Sequence, residues 1–383
     1  MNTFLFSIRR LASAFLILAP APVFTQLTHP PVVNIRSAAN PAFKVEAAAV
    51  QYTLLSPDAE AAGSAERDIA VYTYKPGMYV VTPVKDSDPL RGVSILDLIK
   101  IVRHIQNIEP FAEPWQWVAA DIDRDNAITY NDVRQLHQLL MDPFSELTDN
   151  QSWRFFDTRH VFPATFPLEE PIPESVASTL SCEQEVFCFK AVKVGDVDGS
   201  ATNIVVPQQE PSDNVLQLNQ PDRLLQAGEE IFLAVSVNDA SLLWGLQGAL
   251  RFNGEFLQLV SAEPGNVFGM GRDGIHISPQ RKELRFSWLD AFPQRFTDES
   301  ILMTIRLKAR KEARLQEAVS SAPALLQPAA FDAKGQTQPL RLSLTEISQS
   351  AVLNVAKKSL FLNVTETPQP PQTHREFSAQ EEW

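Results

Sequence analysis

Carboxylates at alternate positions are the chain's clearest chemical signal. Residues 121–132 read DIDRDNAITYND. Asp121, Asp123, Asp125 and Asp132 stand at positions 1, 3, 5 and 12 of this stretch, and Ala127 at position 7 can offer only its backbone carbonyl. Calcium takes six to eight oxygens from a flexible loop, and carboxylates on alternate residues can curl round it with a position-7 carbonyl between them. Asn126 replaces the usual glycine at the sharp turn, and asparagine tolerates left-handed backbone better than most residues. Ile128 at position 8 is the apolar residue that would pin such a loop to a core. The plainer reading of the same residues is a solvated acidic turn capping a helix. A second copy begins thirty-five residues upstream, where 86–97 reads DSDPLRGVSILD. Asp86, Asp88 and Asp97 take positions 1, 3 and 12, Gly92 takes position 7, and Leu90 sits where a fifth-position ligand is expected. The two stretches predict a pair of Ca2+ sites. Asp196 and Asp198, in the GDVDGS of 195–200, read as part of another calcium loop or, at least as readily, as a turn, since no helix follows.

Helices must follow both loops if they are to hold an ion. Residues 94–107 (SILDLIKIVRHIQN) place Ile95, Leu98, Ile99, Val102 and Ile105 at helical spacing. Residues 132–141 (DVRQLHQLLM) do the same with Val133, Leu136, Leu139 and Leu140, and Asp142-Pro143 ends the run. Trp115 and Trp117 precede the second loop and are expected to pack the two helices together. This helical unit spans 84–145. Before it, 27–83 holds short β-like runs and reads as a small or partial β module. After it, 146–213 is a Pro-rich connecting region with one strand at 189–194 and a linker at 205–213. Residues 214–347 show strand patterns at 215–218, 231–237, 246–252, 257–261, 274–278, 284–288, 301–307 and 340–344, which predict an all-β sandwich. Residues 348–383 read as a final strand and a disordered tail. The fold class expected is therefore multidomain and mainly β, with a small all-α pair and an all-β sandwich.

The 383 residues carry a formal charge of −13, which argues against phosphate-backbone binding and so against a nucleic-acid partner. Residues 1–26 place Arg9 and Arg10 before an apolar run and an Ala-Pro-Ala-Pro stretch, the grammar of a secretory signal peptide. That run is too short to span a bilayer, and no later stretch qualifies, so the mature chain is expected to lack a transmembrane segment. Secretion, with a cell-surface position as a variant of it, puts Cys182 and Cys188 in an oxidising compartment, as a local disulfide or as two buried free thiols. His104 and His137 lack metal-ligand spacing and read as structural. No nucleophile elbow, P-loop or dinucleotide glycine motif occurs, and Asp290 has no partner at an acid/base spacing, so no catalytic function is expected.

Two twelve-residue loops, each followed by a helix and each ending in Asp instead of Glu, resemble a type I dockerin domain, an EF-hand-like module. The stretches PLRGVSILDLIKIVRHI and WVAADIDRDNAITYNDVRQL carry the resemblance. It implies calcium ligands at Asp86, Asp88, Gly92 and Asp97, and at Asp121, Asp123, Asp125, Ala127 and Asp132. It also implies binding to a cohesin, within assemblies that degrade polysaccharide. Loop positions 10 and 11, which contribute recognition in that family, are Ile95-Leu96 and Tyr130-Asn131 instead of a Ser-Thr pair. The runs at 227–237, 246–252, 257–263 and 284–290 resemble a cohesin-like sandwich of a carbohydrate-binding superfamily. The partner expected is thus a cohesin-like domain, in trans or in cis on the chain's own sandwich. The alternative is direct carbohydrate binding by the sandwich, with Trp244 and Trp288 as stacking faces.

Overall fold

The structure, a computed structural model, describes residues 32–344 except 46–48, 55–62, 66–76, 143–144, 165, 181–185, 203–214, 219–221, 239–241, 279–281, 298 and 324–325. The signal segment, Cys182, the 205–213 linker and the C-terminal tail lie outside them. The chain is mainly β. Among the described residues no helix is long and apolar enough to cross a membrane.

Four strands precede the helices: β1 (Val32–Ser37), β2 (Ala49–Leu54), β3 (Gly63–Ala65) and β4 (Gly77–Val84). The helices are α1 (Ile95–Ile105), α2 (Pro114–Ala120) and α3 (Tyr130–Met141). Then come β5 (Trp153–Asp157), β6 (Val176–Leu180) and β7 (Val186–Lys193). These late strands pair with the early ones. β6 joins β4 antiparallel, and β7 lies between β1, which it meets in parallel, and β5. Strands β1–β4 therefore share one β unit with β5–β7, with the helices inserted between them, instead of standing as a separate module ahead of a connecting region. Ile35, Val81, Trp153, Phe155, Phe187 and Phe189 fill its core. Exposed Cys188 lies on β7.

The remaining elements are β8 (Val215–Leu218), β9 (Leu224–Leu225), β10 (Glu230–Asn238), β11 (Leu242–Phe252), β12 (Leu257–Pro264), β13 (Ile275–Ser278), β14 (Glu283–Arg295), β15 (Met303–Ala309), β16 (Ala313–Arg314), α4 (Leu315–Ala318), β17 (Val319–Ser321), β18 (Ala329–Asp332), β19 (Thr337–Pro339) and β20 (Arg341–Leu344). Most of these strands make two facing sheets, β12-β15-β10-β8-β20 and β13-β14-β11-β18-β19, closed over a core that includes Leu233, Leu246, Phe286, Trp288, Ile305 and Leu307, while β9 pairs with β16 and β17 with β11. On β15 burial alternates: Met303, Ile305 and Leu307 are buried between the sheets, while Thr304, Arg306 and Lys308 are not. On β11 and β14 this alternation fails, because their outer face is covered too. Gln247, Arg285 and Ser287 point away from the sandwich core and are nevertheless buried. The helices cover them: Ile95, Ile99, Leu136 and Leu139 share a second core with Ala249, Ala329 and Phe331 of this sheet.

Candidate metal centre

The second loop forms much as its residues suggest. α2 ends on Asp121, and Thr129 caps α3 by accepting a hydrogen bond from the Asn131 amide at 3.1 Å. Asp132, at the third helical position, closes the loop. Its Oδ2 accepts from the Thr129 amide at 2.8 Å, and its Oδ1 from the Ile122 amide at 2.7 Å. Asn126 sits at φ 65°, the left-handed conformation expected where glycine is usual. Asp121, Asp123 and Asp132 each bring a carboxylate oxygen to within 4.8 Å of the others. Asp125 stands outside this group and accepts from the Ala127 amide at 2.8 Å. Ile128 packs against the core beneath.

Asp121 is the telling side chain. It is 0% exposed, its Oδ2 lies 3.2 Å from Arg154 Nη1, and its Oδ1 is buried with no hydrogen-bond partner. A buried unmatched carboxylate oxygen costs kilocalories unless something cationic meets it. Burial pushes the Asp121 carboxyl up to about 6, against the pull of Arg154, and raises Asp132 as well, with Asp123 adding like-charge repulsion to the latter.

The first loop is built differently from the expectation. Asp97 does not meet Asp86 and Asp88. It gathers with Asp196 and Asp198 of the GDVDGS turn, again with oxygens within 4.8 Å of one another. The correspondence with the second loop is direct at its last carboxylate. Asp97 Oδ1 accepts from the Val197 amide at 2.9 Å, as Asp132 does from Ile122. Asp97 Oδ2 accepts from the Ser94 amide at 2.9 Å, as Asp132 does from Thr129. Asp196, Asp198 and Ser200 thus occupy the places of Asp121, Asp123 and Asp125. Val93, Ser94 and Asp97 occupy those of Ile128, Thr129 and Asp132. The two halves join where Ser200 Oγ donates to the Gly92 carbonyl at 2.8 Å and Arg91 Nε to the Ala201 carbonyl at 3.0 Å. Gly92 is required at this seam, since it sits at φ +75° and a Cβ there would lie 2.4 Å from the Ala201 nitrogen. One loop is therefore assembled from segments 100 positions apart.

Asp86 and Asp88 are accounted for elsewhere. Asp86 Oδ1 accepts from the amide and the hydroxyl of Ser152, at 2.9 and 2.8 Å. Asp88 has φ 55° and opens a turn in which its carbonyl accepts from the Arg91 amide at 3.0 Å. Leu90, in the place of a fifth-position ligand, packs against the core instead. With an apolar residue there the chain turns inward, and no 1-3-5 arc forms. The signals that point to other partners are paired deficits: 195–200 has the first half of a loop with no α-helix after it, and Asp97 caps a helix behind a first half whose fifth position is the apolar Leu90. Burial, then repulsion from Asp198 and from Asp196, holds the Asp97 carboxyl well above the usual range, and burial with Asp198 as neighbour pushes Asp196 up to about 8. Lys193, buried beside them, donates from Nζ to the Pro89 and Val194 carbonyls at 2.7 and 2.9 Å. Desolvation lowers its ammonium to about 8.

Both carboxylate clusters cap helices seated on the sandwich. The Ile95 amide donates to Gln247 Oε1 at 2.8 Å, and Gly245 of β11 lets Ile95 and Ile99 approach the strand closely. Arg103 donates to the Ala291 carbonyl at 3.1 Å and lies over the Trp244 ring, 4.2 Å from its centroid. From α3, His137 Nε2 and Ser287 Oγ are 2.7 Å apart, and Arg285 donates to the Leu140 carbonyl at 2.9 Å. The recognition positions divide accordingly: Ile95 and Leu96 are buried, whereas Tyr130 is 54% exposed. The expected stacking faces are also committed. Trp288 is 2% exposed in the sandwich core and donates to the Phe268 carbonyl, and Trp244 lies beneath Arg103. His104 stacks on Phe111 with ring centroids 4.0 Å apart, beside Trp117, a structural placement.

No family model matches the chain, and no curated protein matches it. Among solved structures it is similar to a chain of a type I cohesin–dockerin complex from Clostridium thermocellum, at 10% identity and a TM-score of 0.27, over 36% of this chain and 98% of that one. It is similar to a chain of the complex between the sixth cohesin of Acetivibrio cellulolyticus scaffoldin B and a Cel5 dockerin, at 10% identity, a TM-score of 0.27, and 35% and 99% coverage. It is also similar to the seventh ScaB type I cohesin of Pseudobacteroides cellulosolvens, at 10% identity, a TM-score of 0.25, and 34% and 87% coverage.

Proposed function

We propose that this is an exported, non-catalytic calcium-binding protein in which a dockerin-like helical pair is docked in cis on a cohesin-like sandwich. The observation that carries the reading is the repeated carboxylate arrangement, with the orphaned Asp121 oxygen inside one copy. Every side-chain donor in the two clusters is an oxygen, which suits a hard cation such as Ca2+ and not a softer metal. Asp121, Asp123, Asp125, Asp132 and the Ala127 carbonyl would hold one ion. Asp196, Asp198, Ser200, Asp97 and the Gly92 carbonyl would hold the other. The ion supplies the charge that lets buried carboxylates stay ionised. The chain's own residues do the rest: each last Asp ties loop amides to a helix N-terminus, and the helices so ordered seal the β11–β14 face. The resemblance to dockerins and cohesins supports a role in protein–protein assembly linked to polysaccharide breakdown. The commitment of Trp244 and Trp288 to internal contacts removes the stacking faces that favoured direct glycan binding. Calcium added to chelator-stripped protein should raise the thermal midpoint, and Asp121→Ala with Asp123→Ala should remove most of that rise. A midpoint that calcium leaves unchanged would overturn the reading.

A further inference from the structure

The second loop has a neighbour that its role as an ion site does not require. Arg154, on β5, is only 5% exposed and reaches the loop from a strand outside it. Its Nη1 lies 3.2 Å from Asp121 Oδ2, and its Nε lies 2.8 Å from Glu174 Oε1. The other Glu174 oxygen is 2.6 Å from Arg124 Nη2, within the loop itself. A guanidinium is costly to bury unless carboxylates meet it on more than one side, and here two do. The buried cation beside the split loop is Lys193, which acts on Asp196 and Asp97 by charge alone while its Nζ donates to the Pro89 and Val194 carbonyls, so no side chain there grips a loop carboxylate as Arg154 does.

We propose that Arg154 is a resident counter-charge for the second loop, keeping Asp121 paired and the loop shaped without metal, at the cost of a weaker grip on the ion. The inference rests on the calcium reading above and deepens it. Arg154 engages one oxygen of Asp121 and leaves the other free, so ion and guanidinium can share the carboxylate while repelling each other. Glu174 offsets that repulsion by neutralising Arg154 from its far side. The two residues thus tune the same site in opposite directions.

The test is calcium titration of the chelator-stripped full chain, by calorimetry and by thermal melting, with calcium chloride as the only ligand. Asp123→Ala identifies the second-loop component. Arg154→Met is expected to tighten that component about tenfold, because a positive charge next to a divalent ion is removed. It should also enlarge the calcium-induced rise in midpoint, because the metal-free state alone loses the counter-charge. Glu174→Gln is expected to weaken it about threefold, since Glu174 is partly exposed and its charge is screened. A purely structural Arg154 would lower the midpoint equally with and without calcium, and that result would overturn the proposal. So would weaker binding in Arg154→Met, or binding in Glu174→Gln that is unchanged or tighter. If Arg154→Met folds only with calcium, the counter-charge role is supported; if it does not fold at all, the direction of the Glu174→Gln change decides. Failure of wild-type protein to bind calcium would overturn the functional reading instead, and is seen before any variant is made.

Discussion

Replacing Gly245 by alanine tests whether the helices are seated on the sandwich. A Cβ at this position would lie 2.7 Å from Ile95 Cγ2, 2.8 Å from Ile99 Cδ1 and 3.1 Å from the Trp288 carbonyl oxygen. Relaxed contacts between carbons are about 3.5–4.0 Å, so α1 must retreat by about 1 Å. The backbone oxygen of β14 leaves the methyl little room to move the other way. Overpacking of this kind costs about 1–3 kcal/mol. Retreat also stretches the bond from the Ile95 amide to Gln247, whose loss would leave a buried donor and acceptor short of a partner, adding about 1–3 kcal/mol. At about 2–4 °C per kcal/mol for a unit of this size, the midpoint should fall by at least about 4 °C, and by about 12 °C at the middle of both ranges. Hydrogen exchange should locate the change: amides in the middle of α1 should lose protection by at least about tenfold, while those of β10 and β15 on the far sheet hold theirs. A variant with an unchanged midpoint and unchanged α1 protection would show that this contact does not hold the two parts together.

Two further outcomes follow from the carboxylates. The Asp196 carboxyl is raised to about 8 and Asp121 to about 6, from an unfolded value of 3.8, so between about pH 4 and pH 8 the folded metal-free chain keeps protons that the unfolded chain has shed. Stability from these groups is then full below about pH 4 and lost as the pH rises through the folded values, and chelator-stripped protein should melt lower at pH 8 than at pH 5, with calcium reducing or reversing the difference. A metal-free midpoint that rises over that interval would contradict it. Asp86→Ala removes the acceptor of both Ser152 donors and should cost about 1–2 kcal/mol in chemical denaturation, with calcium binding retained; a loss of calcium stoichiometry would instead place Asp86 among the ligands.

Local patterns were legible where a residue's environment follows from its near neighbours in sequence. The run 94–107 contains α1, and 132–141 lies within α3, because apolar spacing and capping residues are local signals. The strand at 215–218 coincides with β8, and 257–261 and 284–288 fall within β12 and β14. α2 escaped notice because its seven residues, PWQWVAA, are too few to show a period. Pairing between distant segments was not legible. Nothing local in 176–180 says that it completes a sheet with β4, and the apolar Leu90 before Asp97 marks a defective first half without saying that its replacement lies at Asp196 and Asp198. Arg154 shows the same limit: an arginine in WRFFD reads as the solvent-facing residue of a strand until the fold places Asp121 and Glu174 beside it. Gln247 and Ser287 were equally silent, as polar residues of an outer sheet face whose burial depends on helices more than a hundred residues earlier.

The claim at the centre of this account is that two ions are held, one by a continuous loop and one by a loop assembled from distant halves. Counting bound calcium per chain in metal-stripped protein, by equilibrium dialysis with elemental analysis, addresses it directly. The count should be two for the native chain, one for Asp196→Ala with Asp198→Ala, and two for Asp88→Ala. A count that falls with Asp88→Ala but not with the Asp196 and Asp198 pair would restore the contiguous first loop, and a count of zero for the native chain would remove the metal from the account altogether.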